Sequence, residues 1–568
     1  MIEKLNKWHI IVILTLTIGI YSVSLSNDFI YDDTFTIKGN MFIRDWGNFP
    51  DLFSKTFFSR SHEESYRPIV TLTYFLDYSV WRLNPSGYHL TNILIHSANI
   101  VLLYLFLLSL SLDRKIAFFS ALLFAVHPVQ AEAVNAISFR EDLLVVFFLL
   151  PAFLLFLKIY TNSGIGWIKR LALYLLSLLL YLLALLSKEM AVVFPLFLIG
   201  YYFCFTEQKQ ERNLFISLFI GYAAITIGYL FLYFGPFNNP NPTAISTLGF
   251  FIRILTLPKI LVSYLLLILF PWELNADYVI KFSSSLFEFS VLFPIFILSG
   301  AGVAFFVLAI KRRKEVFGLW WFFAGLLPVM NIIPIYNVMA ERYLYMPFVG
   351  ISLFFSTGLI YLFRWAANKD SLKLWIRVVV TLGVITLMSR TVLRNMDWKN
   401  DFSLWSKTVV TSPESDKAHN NLGIAYVKQG LLDKAMTEYG KALEINPYHI
   451  RARNNLGVVY VKQGLLEKAL AEYKAALEID PYHAEAHNNI GDVYNKKGLL
   501  NLAMVAFKEA IRINPDFAHA HYNLGAVYDI RGLLNNAITE YKKALKINPD
   551  FRLAKDNLER AMHLEKLR

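Results

Sequence analysis

Hydrophobic residues fall along this chain in two different rhythms. Over the first two thirds they come in runs of roughly twenty, separated by short polar stretches carrying Lys and Arg, which is the pattern of membrane-crossing helices. The runs predict eleven crossings, at 8–26, 89–112, 116–137, 143–160, 171–187, 190–206, 214–235, 288–310, 316–336, 345–363 and 374–394. A further run, 251–270, is long enough to cross, but counting it would carry the cluster from Lys311 to Lys314 to the outer face. It is therefore read as re-entrant or interfacial. Beyond Asp416 the long runs stop, and apolar positions recur on a much longer period.

Leu422, Gly423, Tyr426, Ala435, Tyr439, Ala442 and Pro447 return three more times at a spacing of 34 residues, ending at Pro481, Pro515 and Pro549. The only changes are Ile490 for the leucine and Phe507 for the second aromatic. This is the tetratricopeptide pattern, two antiparallel helices per unit stacked into a solenoid. Its usual tryptophan is replaced by His419, Arg453, His487 and His521, which weakens that packing contact. The expected fold class is thus all-α. A membrane domain at 1–396 leads through a linker at 397–415 to four repeats at 416–551 and a capping helix at 552–568.

Each unit also carries an asparagine at one register: Asn421, Asn455, Asn489 and Asn523. A stacked row of carboxamides can pair with the main chain of an extended peptide whatever its sequence. The row resembles the asparagine ladder of the O-GlcNAc transferase, and marks these four as candidate acceptor-binding residues. Asparagine is also common at this place in tetratricopeptide consensus sequences, so a purely structural ladder stands beside that reading.

Composition agrees with a multi-pass membrane protein: 56% of the 568 residues are hydrophobic and only 17% charged. The formal net charge of +12 would suggest nucleic acid in a soluble protein. Here much of it lies in clusters beside apolar runs (Arg114 and Lys115, Lys169 and Arg170, Lys209 and Arg212, Lys311 to Lys314, Arg364 to Lys373), which are topological signals, and nucleic acid is discounted. Those clusters predict a cytoplasmic N-terminus, with 8–26 retained as a span, and an extracytoplasmic C-terminus. A single cysteine, Cys204, leaves no intramolecular disulfide.

Ionisable groups then gather where spans should end on the outer side. Asp32 and Asp33 follow the first span. Arg67, His89, His96, His127, Glu132, Arg140, Glu141, Asp142, Lys188, Glu189, Glu341 and Arg342 lie at comparable places. Charges within or beside spans are costly, which makes them functional candidates by default. A carboxylate near low-dielectric surroundings can act as a general base while its neighbour stays charged, a division of roles open to Asp32 and Asp33. Adjacent acids can also hold Mg²⁺ or Mn²⁺, and terminating a helix in water is the plain alternative.

The order Tyr31-Asp32-Asp33, Arg67-Pro68, Gly87-Tyr88-His89-Leu90 with Asn92 and His96, His127-Pro128 with Glu132-Ala133-Val134, Arg140, Ser187-Lys188-Glu189 and Glu341-Arg342-Tyr343-Leu344-Tyr345 resembles the C-type membrane glycosyltransferases. Arg394, Trp398 and Leu404-Trp405 leading into repeats make it most similar to the transmembrane-and-tetratricopeptide-repeat protein O-mannosyltransferases. Ser138-Phe139-Arg140-Glu141-Asp142 departs from that pattern, which expects a small residue before the arginine and a less acidic continuation.

The resemblance implies inverting transfer of mannose or another hexose from a polyprenyl phosphate to an acceptor hydroxyl on the extracytoplasmic face. That face is periplasmic in a bacterium and lumenal in the endoplasmic reticulum of a eukaryote. By this analogy Asp32 or Asp33 is the base and Glu132 the second acid, while Arg67, Arg140, Lys188 and Arg342 hold the lipid phosphate. His89, His127, Glu189 and Glu341 are further site candidates. The implied partners are the lipid-linked donor, a protein or peptide acceptor on the repeats, and membrane lipid. No obligatory cofactor is expected, since a donor with one phosphate needs less charge neutralisation than a diphosphate. Two other classes compete: a membrane-anchored scaffold, which leaves the outer charges unexplained, and a transporter, which would place them nearer the bilayer midplane.

Overall fold

The computed structural model describes residues 6–567 apart from 55–56, 62, 64, 111, 207–211, 236–248, 312 and 336. Lys209 and Arg312, two of the basic residues used above to assign sides, lie outside the described residues. Every regular element among the described residues is helical, and the chain divides into two compact units, Met1–Leu404 and Trp405–Arg568. The expected linker at 397–415 contains a helix, Asp401–Thr411.

Among the described residues, eight helices of the first unit are long and apolar enough to cross a membrane. Seven correspond to expected crossings, and the eighth is Phe250–Leu269, which forms one unbroken 20-residue helix rather than a re-entrant hairpin. The expected crossing at 116–137 is broken instead. Pro128 has no N–H to give and its ring disfavours helical backbone at the residue before it, so His127 is extended (φ −79°, ψ 126°) and the two halves, Arg114–Val126 and Pro128–Asn135, meet at a 56° bend. Of the remaining three expected crossings, 288–310 forms the 23-residue helix Phe289–Lys311, and the other two are shorter apolar helices among the described residues, Glu189–Phe205 and Val316–Val329.

Lipid offers little hydrophobic drive for joining helices, so close approach must supply it. Gly318 and Gly350 let their two helices meet backbone to backbone: a Cβ built on Gly318 would stand 2.5 Å from the carbonyl oxygen of Gly350. Beside this contact, Phe197 stacks on Trp321 with 3.8 Å between ring centroids. Ser177 Oγ meets the Tyr222 hydroxyl at 2.7 Å and donates to the Ala152 carbonyl at 2.6 Å, tying three helices with bonds the lipid cannot compete for.

In the second unit each repeat is a helix pair, from Asp416–Lys428 with Leu432–Ile445 to Ala518–Ile530 with Leu534–Ile547, followed by Arg552–Lys566. The repeated glycine of the first (A) helix exists because the aromatic ring of the second (B) helix lies on it. A Cβ on Gly423 would come within 2.5 Å of the Tyr439 ring, and one on Gly491 within 2.6 Å of Phe507. A second glycine series, Gly430, Gly464, Gly498 and Gly532, ends each A helix with φ between +72° and +77°, the left-handed conformation that glycine adopts without strain. At the tryptophan position a polar staple replaces packing. His419 meets Glu438 at 2.6 Å and the Pro413 carbonyl at 3.1 Å, and Arg453 does the same with Glu472 and Pro447. The third unit has Ala506 where its neighbours have glutamate, and His487 keeps only the Pro481 carbonyl at 3.0 Å.

Three outcomes follow from this architecture. Reporters fused after Asp370 and after Thr411 should report opposite compartments, since helix Asp370–Asp397 is long enough to cross between them. Gly491→Ala should lower the calorimetric melting of the repeats, at a cost of about 1–3 kcal/mol for forcing a methyl against Phe507. Gly440→Ala, at a helical site with nothing within 4 Å, should instead raise the melting, through a gain of about 0.5–1 kcal/mol in stability.

Candidate functional site

The two adjacent aspartates after the first span have different environments. Asp33 is fully buried, its Oδ1 accepting from the Ser138 N–H at 2.7 Å and its Oδ2 from the Ile30 N–H at 3.3 Å. Burial pushes its carboxyl up to about 7, against the pull of those two N–H groups. Asp32, one residue earlier, is exposed. What turns one in and the other out is Tyr31, whose φ of +54° is a left-handed conformation costing a bulky residue about 1–3 kcal/mol. The strain is held by bonds on both sides: the Tyr31 N–H donates to Asp401 Oδ1 at 3.0 Å and the Asp28 N–H to the Lys399 carbonyl at 2.9 Å.

Next to this turn lies a cluster of cations, brought together from four helix ends. Ser138, which holds Asp33, is followed by Phe139, whose ring packs edge-on against Tyr31 and lies 3.9 Å beneath the Arg342 guanidinium. Arg342 pairs with Glu132, and its own N–H donates to the other oxygen of that carboxylate at 2.9 Å. Tyr343 carries Arg342 on one flank and Lys188 on another, at 5.0 and 5.4 Å from its ring centre. Lys188 is bonded to Asp142 at 2.6 Å and lies 3.6 Å from Glu141. Glu141 in turn accepts from Arg67 at 2.9 Å, and Arg67 reaches Glu189 at 3.0 Å. Asp33, Glu132, Lys188, Arg342, Arg67 and Glu189 are therefore linked through shared neighbours, beside exposed Asp32.

Arg140 stands apart from them. It is completely buried, giving Nε to Asn92 at 2.6 Å, Nη1 to Thr73 at 2.9 Å, and Nη2 to Asp77 at 2.6 Å and to the Tyr88 carbonyl at 3.2 Å. Four of its five N–H groups are thus spent on two other helices, which is the environment of a structural clamp. His127 is similarly engaged: Nδ1 accepts from the Val129 N–H at 3.3 Å, so Nε2 carries the proton and donates to the Ile268 carbonyl at 3.0 Å. His89 is fully buried, its ring against the backbone of Asn27 and Asp28.

Glu341 belongs to a second buried network. One of its oxygens accepts from Asn275, Tyr278 and Arg394 at 2.5, 2.9 and 3.0 Å, while burial raises its carboxyl above the ordinary range against the pull of Arg394. Asp77, Tyr278 and Asn275 escaped sequence reading. Asp77 alone left a trace, as the one acid inside the apolar helix Pro68–Trp81. Among the described residues no three His, Cys, Asp or Glu side chains converge as a metal-ligand set, and the two acids proposed as a pair, Asp32 and Asp33, face different surroundings.

The asparagine row is partly occupied from within. Asn455, Asn489 and Asn523 each donate Nδ2 to an asparagine of the preceding repeat, Asn420, Asn454 and Asn488, at 3.0, 2.9 and 3.0 Å. The ladder is therefore an inter-repeat bond, with the half not seen in sequence supplied by the residues before Asn421, Asn455 and Asn489.

Models of the tetratricopeptide repeat match residues 425–464, 459–498, 491–529 and 518–551. A protein O-mannosyl-transferase of Caenorhabditis elegans is 28% identical over 77% of this chain and 63% of its own length. Protein O-mannosyl-transferase TMTC1 of Homo sapiens is 29% identical over 75% of this chain and 54% of its own, and TMTC3 of Mus musculus 26% over 78% and 51%. The chain thus spans only half to two thirds of the length of these relatives. Among solved structures, that of MamA aligns at 25% identity over 26% of this chain and 85% of that one, with a TM-score of 0.23. In sequence, this multi-pass membrane protein with a tetratricopeptide tail is similar, over about three quarters of its length, to the transmembrane-and-tetratricopeptide-repeat protein O-mannosyltransferases.

Proposed function

We propose that the protein is a membrane glycosyltransferase that moves mannose, or another hexose, from a polyprenyl phosphate to a Ser or Thr hydroxyl of a protein held by the repeats, on the extracytoplasmic face. The observation that carries this reading is the strained Tyr31 turn, which buries Asp33 and leaves Asp32 exposed beside paired cations. Asp32 takes the acceptor proton as the hydroxyl attacks the anomeric carbon from the side opposite the leaving phosphate, which inverts the centre. Asp33 is its positioning residue, fixing the turn through Ser138 and Ile30. Arg67, Lys188 and Arg342 stabilise the charge growing on the departing phosphate in a site poor in water. Glu132 orients Arg342, and Arg140 locks the surrounding helices instead of touching the donor.

One observation favours the scaffold reading: each of Arg67, Arg140, Lys188 and Arg342 already has a carboxylate partner, as in a network that only holds helices together. Sugar transfer by the full chain in lipid, from several polyprenyl phosphate sugars, separates the two. Asp32→Asn should lower the rate at least 10²-fold in a protein that still folds. Asp33→Asn should also destabilise the fold by about 1–3 kcal/mol, seen as a lower melting temperature, by disturbing two buried N–H partners. Full activity of Asp32→Asn would remove it as the base, and wild-type inactivity with every donor would favour the scaffold.

Acceptor binding on the asparagine row carries a structural cost that the residues alone did not suggest. Replacing Asn421, Asn455, Asn489 and Asn523 together by Ala deletes three bonds between repeats, and should lower repeat stability by about 1 kcal/mol per bond in calorimetry, besides weakening peptide binding.

A further inference from the structure

Successive A helices of the repeat unit pack closer to one another than successive B helices do, so the A helices line the inner side of the curve. Each presents one solvent-reachable stripe, at i, i+4, i+7 and i+11, whose second member is the ladder asparagine. On the first two repeats the stripe carries Lys417, Lys428, Arg451 and Lys462 and no carboxylate. Asp416, next to Lys417 in sequence, accepts from Asn446 Nδ2 at 2.6 Å. On the third repeat the sign changes, with Glu485, and with Asp492 bridged to Lys496 at 3.3 Å. The fourth carries no formal charge, with His519 at the start of its stripe and exposed Ile530 at the end. Asn455 and Asn523 each spend one Nδ2–H on the preceding repeat, and a carboxamide has a second N–H and its oxygen left for a main chain.

We propose that this groove takes an extended polypeptide segment rich in Asp and Glu, its main chain on the asparagine row and its carboxylates on Lys417, Lys428, Arg451 and Lys462. The inference deepens the reading of the repeats as the acceptor-holding part and rests on it: the preferred acceptor is an acidic, unfolded stretch around the target hydroxyl. Pairing at exposed lysines is weak singly and screened by salt, so affinity arises from several contacts along one segment.

The test uses the full chain in lipid nanodiscs and fluorescein-labelled peptides of about twelve residues in which Ser alternates with Glu, Gln or Lys, read by fluorescence anisotropy. The Glu peptide should bind at least tenfold tighter than the Gln peptide at low salt and lose most of that margin at about 0.5 M, where the Debye length has fallen to a few ångströms. Arg451→Glu with Lys462→Glu should weaken Glu-peptide binding at least tenfold. Arg451→Gln with Lys462→Gln should weaken it less, and Lys555→Glu, on the last helix, should change it less than twofold. Equal binding of the three peptides, equally tight binding of a single-stranded oligothymidine, or unchanged affinity in the charge-reversed variant would overturn the proposal. Sugar transfer to the same peptides keeps the two readings distinct. Tight binding of the Glu peptide without transfer upholds the groove and sinks the acceptor reading, whereas transfer to all three without preference does the reverse.

Discussion

A charge withdrawn from water beside a lipid phase must be answered by an opposite charge or by hydrogen-bonding groups, because each unanswered ion costs several kcal/mol. The membrane unit is organised by that demand. Arg140 sits at the start of one long helix and takes Asp77 and Thr73 from a second and Asn92 from a third. Lys188, ahead of the helix that begins at Phe194, is answered by Asp142 on the same helix as Arg140, and Arg342 by Glu132 on the short piece after the Pro128 break. Removing one partner from such a pair costs about 3–5 kcal/mol, more than most apolar contacts between helices in lipid supply. The ends of the helices are therefore placed by ion pairs, and the turn bearing Asp32 inherits its position from them through Ser138 and Phe139.

Repeats were legible because their constraint is local and recurs. A glycine that must admit an aromatic ring, and a proline after every B helix, leave the same mark every 34 residues. The long apolar runs were legible for the same reason, each being a property of one segment. The broken helix at His127-Pro128 was written in the sequence as plainly, yet hydropathy averages across a proline and reported one span. Partner choice was the part that could not be read. Nothing in the order of residues says that Arg140 faces Asp77 rather than the open cluster, or that Asn455 is bonded to Asn420, since both depend on contacts between separate helices.

Glutamates 438, 472 and 540 show a middle case. Their spacing from the residue at the tryptophan position is constant, 19 residues, so a search for pairs at that offset would have found the staple and its absence at Ala506. The weakening expected from losing tryptophan is thereby offset in three units by a charge-assisted bond, and left open in the third, the unit where the inner stripe also changes sign.

The same accounting of partners bears on how an anionic leaving group could be held at all. A phosphate entering a cluster whose cations are already neutralised must displace a carboxylate, and the cost depends on where that carboxylate goes. Glu141 and Asp142 have side chains only 4% and 3% exposed, so releasing either would leave a charge stranded in a poor solvent. The Glu189 side chain is 35% exposed and bonded to Arg67, so it can turn to water with most of its hydration restored. Arg67 is thus the cation that can exchange a carboxylate for a phosphate at least expense. In the proposed reaction Lys188 and Arg342, held by buried acids, would act on the phosphate by proximity alone, and Arg140 is too fully engaged to exchange anything.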